Sequence, residues 1–246
     1  MAETKKRKYQ YSDNGKKRKR FALEVGLKGF LCSCNDREKD CVRESYNILN
    51  EYAPSLEPEG QGSSEVNDKE DVDELEREIQ ALKTLKEKSN HRFQAVESGA
   101  KNIVFIRTTL EDPVKLAQTI IEDIHKTRQQ KTRFLIRLVP IEETCKAYLD
   151  DIKKAIAPLV QKYFGGNEPK TFSVFYNHRH NNQLSRDDVI TAVADMVTEQ
   201  NKEHKVDLKN GELSVIIEVI KNYALLSVTP KFLQYKKYNL HMICKD

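Results

Sequence analysis

Residues Lys205–Val228 have the sequence KVDLKNGELSVIIEVIKNYALLSV, and this stretch decides the fold class. It contains two apolar runs, Leu213–Ile220 and Ala224–Val228, separated by a Lys-Asn-Tyr tripeptide. Short runs rich in Val and Ile, bounded by Asn-Gly and Lys-Asn, indicate two antiparallel strands. All odd positions of the first run are apolar, as are the even positions Ile216 and Ile220, which predicts a strand in the middle of a sheet with helices on both faces. The one charged residue in this run is Glu218, whose carboxylate would need a cationic partner such as Arg or Lys.

Helices and strands alternate upstream of this pair. Asp112 and Pro113 are typical of a helix N-cap and first residue, and Pro158 should kink a later helix or end it early. Strands that alternate with helices imply an α/β layered sheet. The predicted elements are a helix from Asp112, a strand Arg133–Pro140, a helix Leu149–Tyr163, a strand Thr171–Tyr176 followed by a polar loop 177–182, a helix after a Ser185 cap, and an amphipathic end piece Lys231–Leu240 whose pattern is compatible with a helix.

The first half of the chain contains a smaller set of elements. The pattern predicts strands at Leu27–Cys34, Phe93–Glu97 and Asn102–Arg107, and helices at Glu38–Ala53 and Val72–Leu82. This set is too small and polar to stand alone comfortably, so we expect it to dock on the second half of the chain. Structural zinc needs four ligands, commonly in C-x-x-C pairs, so buried thiols are favoured over a metal site. The cysteines concerned are Cys32, Cys34 and Cys41.

Charge is distributed in blocks along the chain. Residues 1–20 hold nine Lys or Arg against two acids, and residues 54–78 hold ten Asp or Glu against two basic residues. Such blocks are typical of solvated tails and linkers. The sequence therefore predicts a disordered basic tail over 1–22 and a flexible acidic insertion over 54–72. The tail has two interpretations, a nuclear import signal or nucleic-acid contact on one side and a solvated tail without a partner on the other.

Composition limits the classes of function. The 246 residues contain no apolar run near the roughly 18 residues of a membrane span, and the charged N-terminus lacks the apolar segment of a secretion signal. Five cysteines and no such signal predict free thiols in a reducing compartment. Only nine glycines occur, and the one G-x-G, at Gly60 to Gly62, lies in the acidic insertion. Neither a nucleotide-binding loop nor a deaminase motif is evident, which argues against an enzyme.

The densest basic surface of the predicted body lies around strand 133–140. Alternation places Arg133 and Arg137 on one strand face, just after three further cations. Phosphate contact and pairing with a buried acid such as Glu218 are equal alternatives for these two arginines. The polar loop 177–182 has two main interpretations: Arg179 contacts RNA, or the loop has no binding function. A metal site formed by His178 and His180 is a weaker alternative. The three preceding cations are Lys126, Arg128 and Lys131.

Four motifs carry a resemblance to a known family. They are R-L-V-P-I-x-x-T-C-K-A at 137–147, V-D-L-x-N at 206–210, G-L-K-G-F-L-C-S-C-N at 26–35 and F-Q-A-V-E-S-G-A-K-N-I-V-F-I-R-T at 93–108. The first two resemble THUMP domains, and all four together resemble the eukaryotic THUMP-domain adaptors of the tRNA N4-acetylcytidine acetyltransferase. Matching stretches run from about Val25 to Leu240. Gly211 departs from the family, whose members often have Pro there.

The resemblance implies an α/β (α+β) protein with two domains. A ferredoxin-like domain over 23–108, interrupted by the insertion 54–72, would pack on a THUMP domain over 109–246 with a mixed central sheet. Thr144 and Lys146 would lie in a loop near a helix N-terminus, which attracts phosphate. The RNA-binding residues expected are thus Lys126, Arg128, Lys131, Arg133, Arg137, Thr144, Lys146 and Arg179.

The resemblance also implies a function without catalysis. Such adaptors hold tRNA by its acceptor stem and 3′ end and present serine and leucine tRNAs to a separate RNA cytidine acetyltransferase, which modifies the D-arm. This implies a nuclear and nucleolar protein with no cofactor, small-molecule substrate, metal or membrane. Two alternatives remain: a stand-alone tRNA-modifying enzyme with an unrecognised site, and a nuclear interaction protein with no RNA role.

Overall fold

The first unit of the protein is a ferredoxin-like βαββαβ arrangement. The computed structural model describes residues 22–53 and 92–245; the predicted basic tail, the acidic insertion and the helix over 72–82 fall outside these ranges. Within them, one four-stranded sheet has the order β2-β3-β1-β4, and every neighbouring pair is antiparallel. Its elements are β1 (Gly29–Ser33), α1 (Glu38–Tyr52), β2 (Phe93–Glu97), β3 (Ile103–Thr108), α2 (Pro113–Thr127) and β4 (Arg137–Ile141).

The second unit is built on a mixed sheet. Among the described residues this sheet has five strands in the order β5-β9-β8-β6-β7. β6 is parallel to β8 and β7, whereas β9 is antiparallel to β8 and β5. The predicted central position of the strand at 213–220 and its antiparallel partner are confirmed. The elements are β5 (Glu143–Lys146), α3 (Leu149–Phe164), β6 (Thr171–Arg179), α4 (Arg186–Gln200), β7 (Lys205–Val206), β8 (Leu213–Ile220), β9 (Tyr223–Pro230) and α5 (Leu240–Ile243).

The two faces of β8 belong to different cores. Its odd residues, such as Val215 and Ile217, pack in one cluster with side chains of α3 and α4. Its even residues Ile216 and Ile220 pack in the cluster of the first unit. The prediction of helices on both faces is therefore wrong on one side. The first unit covers that face, so the strand is apolar on both sides because the two units pack together.

The strand predicted at 133–140 begins later than expected. β4 starts at Arg137, and the preceding residues form a loop around the carboxylate of Glu44. The backbone N–H groups of Phe134 and Leu135 donate to Glu44 Oε2 at 2.8 Å, and that of Arg133 donates to Oε1 at 3.0 Å. A carboxylate thus takes the place of a neighbouring strand. The predicted common face of Arg133 and Arg137 is consequently wrong.

Strand β4 is part of the four-stranded sheet, and helix α2 packs in the core of the first unit. The predicted boundary at 108/109 had assigned both elements to the second domain. The N-cap prediction for α2 is confirmed, since Asp112 accepts a hydrogen bond from Lys115 N at 3.0 Å. Helix α3 continues through Pro158 to Phe164, so the prediction of an early end is wrong. By sheet membership, the division between the units falls between Ile141 and Glu143.

The chain end forms turns rather than the helix considered for Lys231–Leu240. Lys231, Lys236, Lys237 and Tyr238 all have φ between 52° and 56°, which interrupts any right-handed helix. Tyr238 is fully buried and donates from its hydroxyl to Pro230 O at 3.0 Å, so the turns are held by packing. No helix within the described ranges has the length and apolar character needed to span a membrane.

Candidate nucleic-acid interface

A cleft of about 460 Å³ lies between the two sheets. We call it the interdomain cleft and define it by its cations Arg137, Arg179, Arg186 and Lys237 together with the carboxylate of Glu218. Four positive charges against one negative charge make it strongly cationic. Strand alternation brings Arg137, Arg179 and Glu218 together, because the inner faces of β4, β6 and β8 border the space between the units. The apolar lining includes Leu31, Val139, Phe175, Ile216 and Phe232.

Arg179 and Glu218 form an ion pair in this cleft. Arg179 Nη1 lies 2.8 Å from Glu218 Oε2, and Asn177 Nδ2 donates to Glu218 Oε1 at 3.3 Å. The expectation that Glu218 needs a cationic partner is confirmed, but the partners considered, Arg133 and Arg137, are wrong. The parallel register of β6 with β8 places Arg179 beside Glu218. Residues 177–179, predicted to be a loop, belong to strand β6 because they pair with residues 218–220 of β8.

Arg137, Arg186 and Lys237 supply the exposed charge of the cleft. The ion pairs of the described residues include neither Arg137 nor Arg186. Arg186 opens α4 directly after the N-cap Ser185, and Lys237 Nζ lies 5.3 Å from the centre of the Phe175 ring. These cations face solvent with their charge largely uncompensated, which suits them to bind an anionic ligand.

Arg186 and Lys237 were missed by the sequence reasoning. Arg186 stands in a helix cap and Lys237 in a Lys-rich segment, and neither pattern distinguishes a binding residue from a solvated one. The tertiary structure brings them to Arg137: Arg186 is the first residue of α4, which begins at the edge of the cleft, and Lys237 stands in the C-terminal turns that border it. The one signal in the sequence was the excess of Lys in 231–237.

Four predicted RNA-binding residues lie outside the cleft, around the C-terminal end of α2. Lys131 Nζ pairs with Glu51 at 2.6 Å and Asp123 at 3.4 Å, and the hydrogen bond to Glu51 contributes most to raising its pKa. Arg128 Nη1 donates to Ile243 O at 2.7 Å. Lys126 is exposed and Arg133 lies 5.3 Å from the Phe134 ring centre.

Thr144 and Lys146 lie on strand β5, so the loop predicted for them is wrong. Thr144 is fully buried; its Oγ1 accepts from Leu27 N at 2.7 Å and donates to Glu24 O at 2.8 Å. It therefore connects the N-terminal segment to the second sheet. Lys146 is exposed, with Nζ 4.3 Å from the centre of the Tyr223 ring.

The cysteines are all free thiols, as expected. Cys32, Cys34, Cys41 and Cys145 are buried. Burial raises the pKa of Cys145 to about 12, so its thiol is protonated at neutral pH and is a poor nucleophile. Within residues 22–53 and 92–245, no group of three or more His, Cys, Asp or Glu side chains is arranged to hold a metal ion.

Comparison with known proteins gives a family model and several relatives. The model of the THUMP domain matches residues 146–229, which span the end of β5 to β9. A "THUMP domain-containing protein 1 homolog" from Drosophila melanogaster is 40% identical, and the match covers 94% of this chain and 79% of that protein. This chain belongs to the family of THUMP domain-containing proteins. The sequence-based recognition of that family is confirmed.

Other family members differ in length and name. "THUMP domain-containing protein 1" from Mus musculus is 39% identical over 91% of this chain, and the match spans 66% of the mouse protein. "tRNA acetyltransferase TAN1" from Saccharomyces cerevisiae is 26% identical, over 94% of this chain and 91% of the yeast protein. The match to the mouse relative thus leaves about a third of that protein without a counterpart.

Proposed function

We propose that the protein binds tRNA in the interdomain cleft and presents it to a separate RNA cytidine acetyltransferase. The observation that carries this proposal is the cleft itself, whose four cations face one carboxylate over an apolar lining. Phosphate groups supply most of the affinity in RNA binding, and arginine binds them through paired N–H groups. The yeast relative's name adds that one family member acts on tRNA.

The shape of the cleft favours an unpaired end of the RNA over a duplex. A volume of about 460 Å³ admits single nucleotides but not the width of an A-form helix. The partly exposed side chain of Phe175 offers aromatic surface to a base, while Arg137 and Arg186 hold its phosphates. We therefore place the 3′ end of tRNA in the cleft, with the acceptor stem on the neighbouring surface.

The chemistry of the cleft favours a holding role. Both oxygen atoms of Glu218 accept hydrogen bonds, from Arg179 and Asn177, so this carboxylate is engaged in structure. Together with the protonated thiol of Cys145, this supports an adaptor that leaves acetyl transfer to its partner. The adaptor would serve serine and leucine tRNAs, direct its partner to a cytidine in the D-arm, and act in the nucleus, in particular the nucleolus.

A second candidate function is catalysis by this chain itself. The name of the yeast relative favours it, because that protein is called a tRNA acetyltransferase. The two functions differ in what the purified chain does with tRNA and acetyl-CoA. The adaptor binds tRNA and forms no N4-acetylcytidine, whereas the enzyme forms it unaided.

Titration of the purified protein with fluorescent serine tRNA tests the binding proposal. If the cleft neutralises about four phosphates, log K falls against log salt with a slope of about −3. Leucine tRNA should behave alike, and a tRNA of another identity should bind more weakly. A slope near zero, or no binding at low ionic strength, would refute the proposal.

A further inference from the structure

A second cationic cavity, of about 580 Å³, lies at the other end of the second sheet. We call it the lysine cavity; its lining includes Lys170, Lys209, Lys231 and Lys236, with Glu212 as its acid. Lys209, Lys231 and Lys236 are exposed. The cations of this cavity are all lysines, whereas those of the interdomain cleft are three arginines and Lys237.

Lys209 lies in a turn closed by the side chain of Asp207. Asp207 Oδ1 accepts from the backbone N–H groups of Lys209 at 2.8 Å and Asn210 at 2.9 Å. Gly211 then packs closely on β6, since an added Cβ would lie 2.8 Å from Asp207 O and 3.0 Å from Phe172 C. Only glycine fits there without a shift, so the turn that carries Lys209 lies close against β6.

The C-terminal turns join the lysine cavity to the interdomain cleft. Lys236 borders the former and the next residue, Lys237, borders the latter. Both have left-handed backbone, as does Lys231, whose N–H donates to Glu212 O at 2.9 Å. A left-handed backbone is unfavourable for residues other than glycine and persists where packing imposes it. Here that backbone directs neighbouring lysines into two adjacent cavities.

The separation of the two cavities suits one extended ligand. Leu213 borders the lysine cavity and Glu218 borders the cleft, and both lie on β8. Five strand positions correspond to about 17 Å. A phosphate bound at one end is thus several nucleotides from a phosphate bound at the other.

We infer that the lysine cavity binds the phosphate backbone of the same RNA whose 3′ end occupies the cleft. The inference rests on the proposed function and adds a second anchoring point to it. Lysine presents a point charge without the planar fork of arginine, so this contact adds affinity without selecting a base. An acidic segment of a protein partner is the competing ligand for such a site.

The variant Lys209→Ala/Lys231→Ala tests the inference, with Lys154→Ala/Lys202→Ala as matched control. The control removes the same charge from exposed residues in α3 and just after α4, which pack on the opposite sheet face. Loss of two phosphate contacts should weaken the binding of full-length tRNA about tenfold at 0.15 M salt. It should also make the slope of log K against log salt concentration shallower by roughly 1.5 to 2. The control should match the wild type.

A short ligand separates a loss of binding at the lysine cavity from a general loss of RNA binding. Adenosine 5′-monophosphate, which corresponds to the 3′-terminal nucleotide of mature tRNA, fits within the cleft without extending to the lysine cavity, so the test variant should bind it as the wild type does. If this variant binds tRNA as tightly as the wild type, the inference is overturned and the proposed function stands. The same conclusion follows if the variant loses only the binding of an acidic protein partner. If wild-type protein binds no tRNA at all, the proposed function fails instead.

Discussion

Removal of Arg137 and Arg186 together should abolish most tRNA binding. Both guanidinium groups border the interdomain cleft, and neither takes part in the ion pairs of the described residues. A hydrogen bond to a charged group contributes about 1.5 kcal/mol, so two such contacts are worth about 3 kcal/mol. The variant Arg137→Ala/Arg186→Ala should therefore bind serine tRNA roughly 150-fold more weakly. Its salt slope should be shallower by about 1.5 to 2.

Fluorescence anisotropy from 50 to 200 mM salt measures both quantities, and the thermal unfolding midpoint reports the fold. The control variant is Lys126→Ala/Arg133→Ala, because the sequence placed both residues in the interface and the structure places both outside the cleft. Its affinity for tRNA should change less than about threefold, which is the size of effect expected when a charge at the rim of an interface is removed. If the control loses binding while the cleft variant keeps it, the cleft is not the RNA site.

Three further predictions concern single ion pairs, hydroxyl groups and thiols. Glu218→Ala should lower the free energy of unfolding by about 1–2 kcal/mol in urea titration, because Arg179 is left unpaired; a double-mutant cycle showing no coupling between them would contradict this. Thr144→Val should destabilise the fold by about 1–2 kcal/mol and leave tRNA affinity unchanged, since its buried hydroxyl bonds to the backbone of residues 24 and 27, away from the cleft. Burial raises the pKa of Cys32 and Cys145 to about 12 from 9.0, so the unfolded thiols ionise first and the free energy of unfolding should fall between pH 9 and 12. In Cys145→Ala this fall should be shallower by about 1.4 kcal/mol per pH unit, and equal slopes would argue against a buried neutral thiol.

Local signals were sufficient for much of the fold. The apolar runs that became β8 and β9, the Asp112 cap of α2 and the Ser185 cap of α4 are all encoded within a few residues. Motifs spread over the chain carried the resemblance to THUMP proteins. Such features could be predicted because no distant residue is needed to form them.

Contacts between distant residues account for the errors. Glu44 replaces a strand neighbour for residues 133–135, about 90 positions away, and nothing near Arg133 indicates this. The Arg179–Glu218 pair depends on the parallel register of β6 and β8. The interface depends in the same way on how two units pack, so single basic residues could be counted from the sequence but their grouping could not.

An acetylation assay with purified components tests the central claim most directly. Serine tRNA and acetyl-CoA are incubated with this protein alone, with the RNA cytidine acetyltransferase alone, and with both, and N4-acetylcytidine is quantified by mass spectrometry. We expect product only when both proteins are present, and its loss when Arg137→Ala/Arg186→Ala replaces the wild type. Formation of N4-acetylcytidine by this protein alone, or full activity of the acetyltransferase without it, would contradict the account.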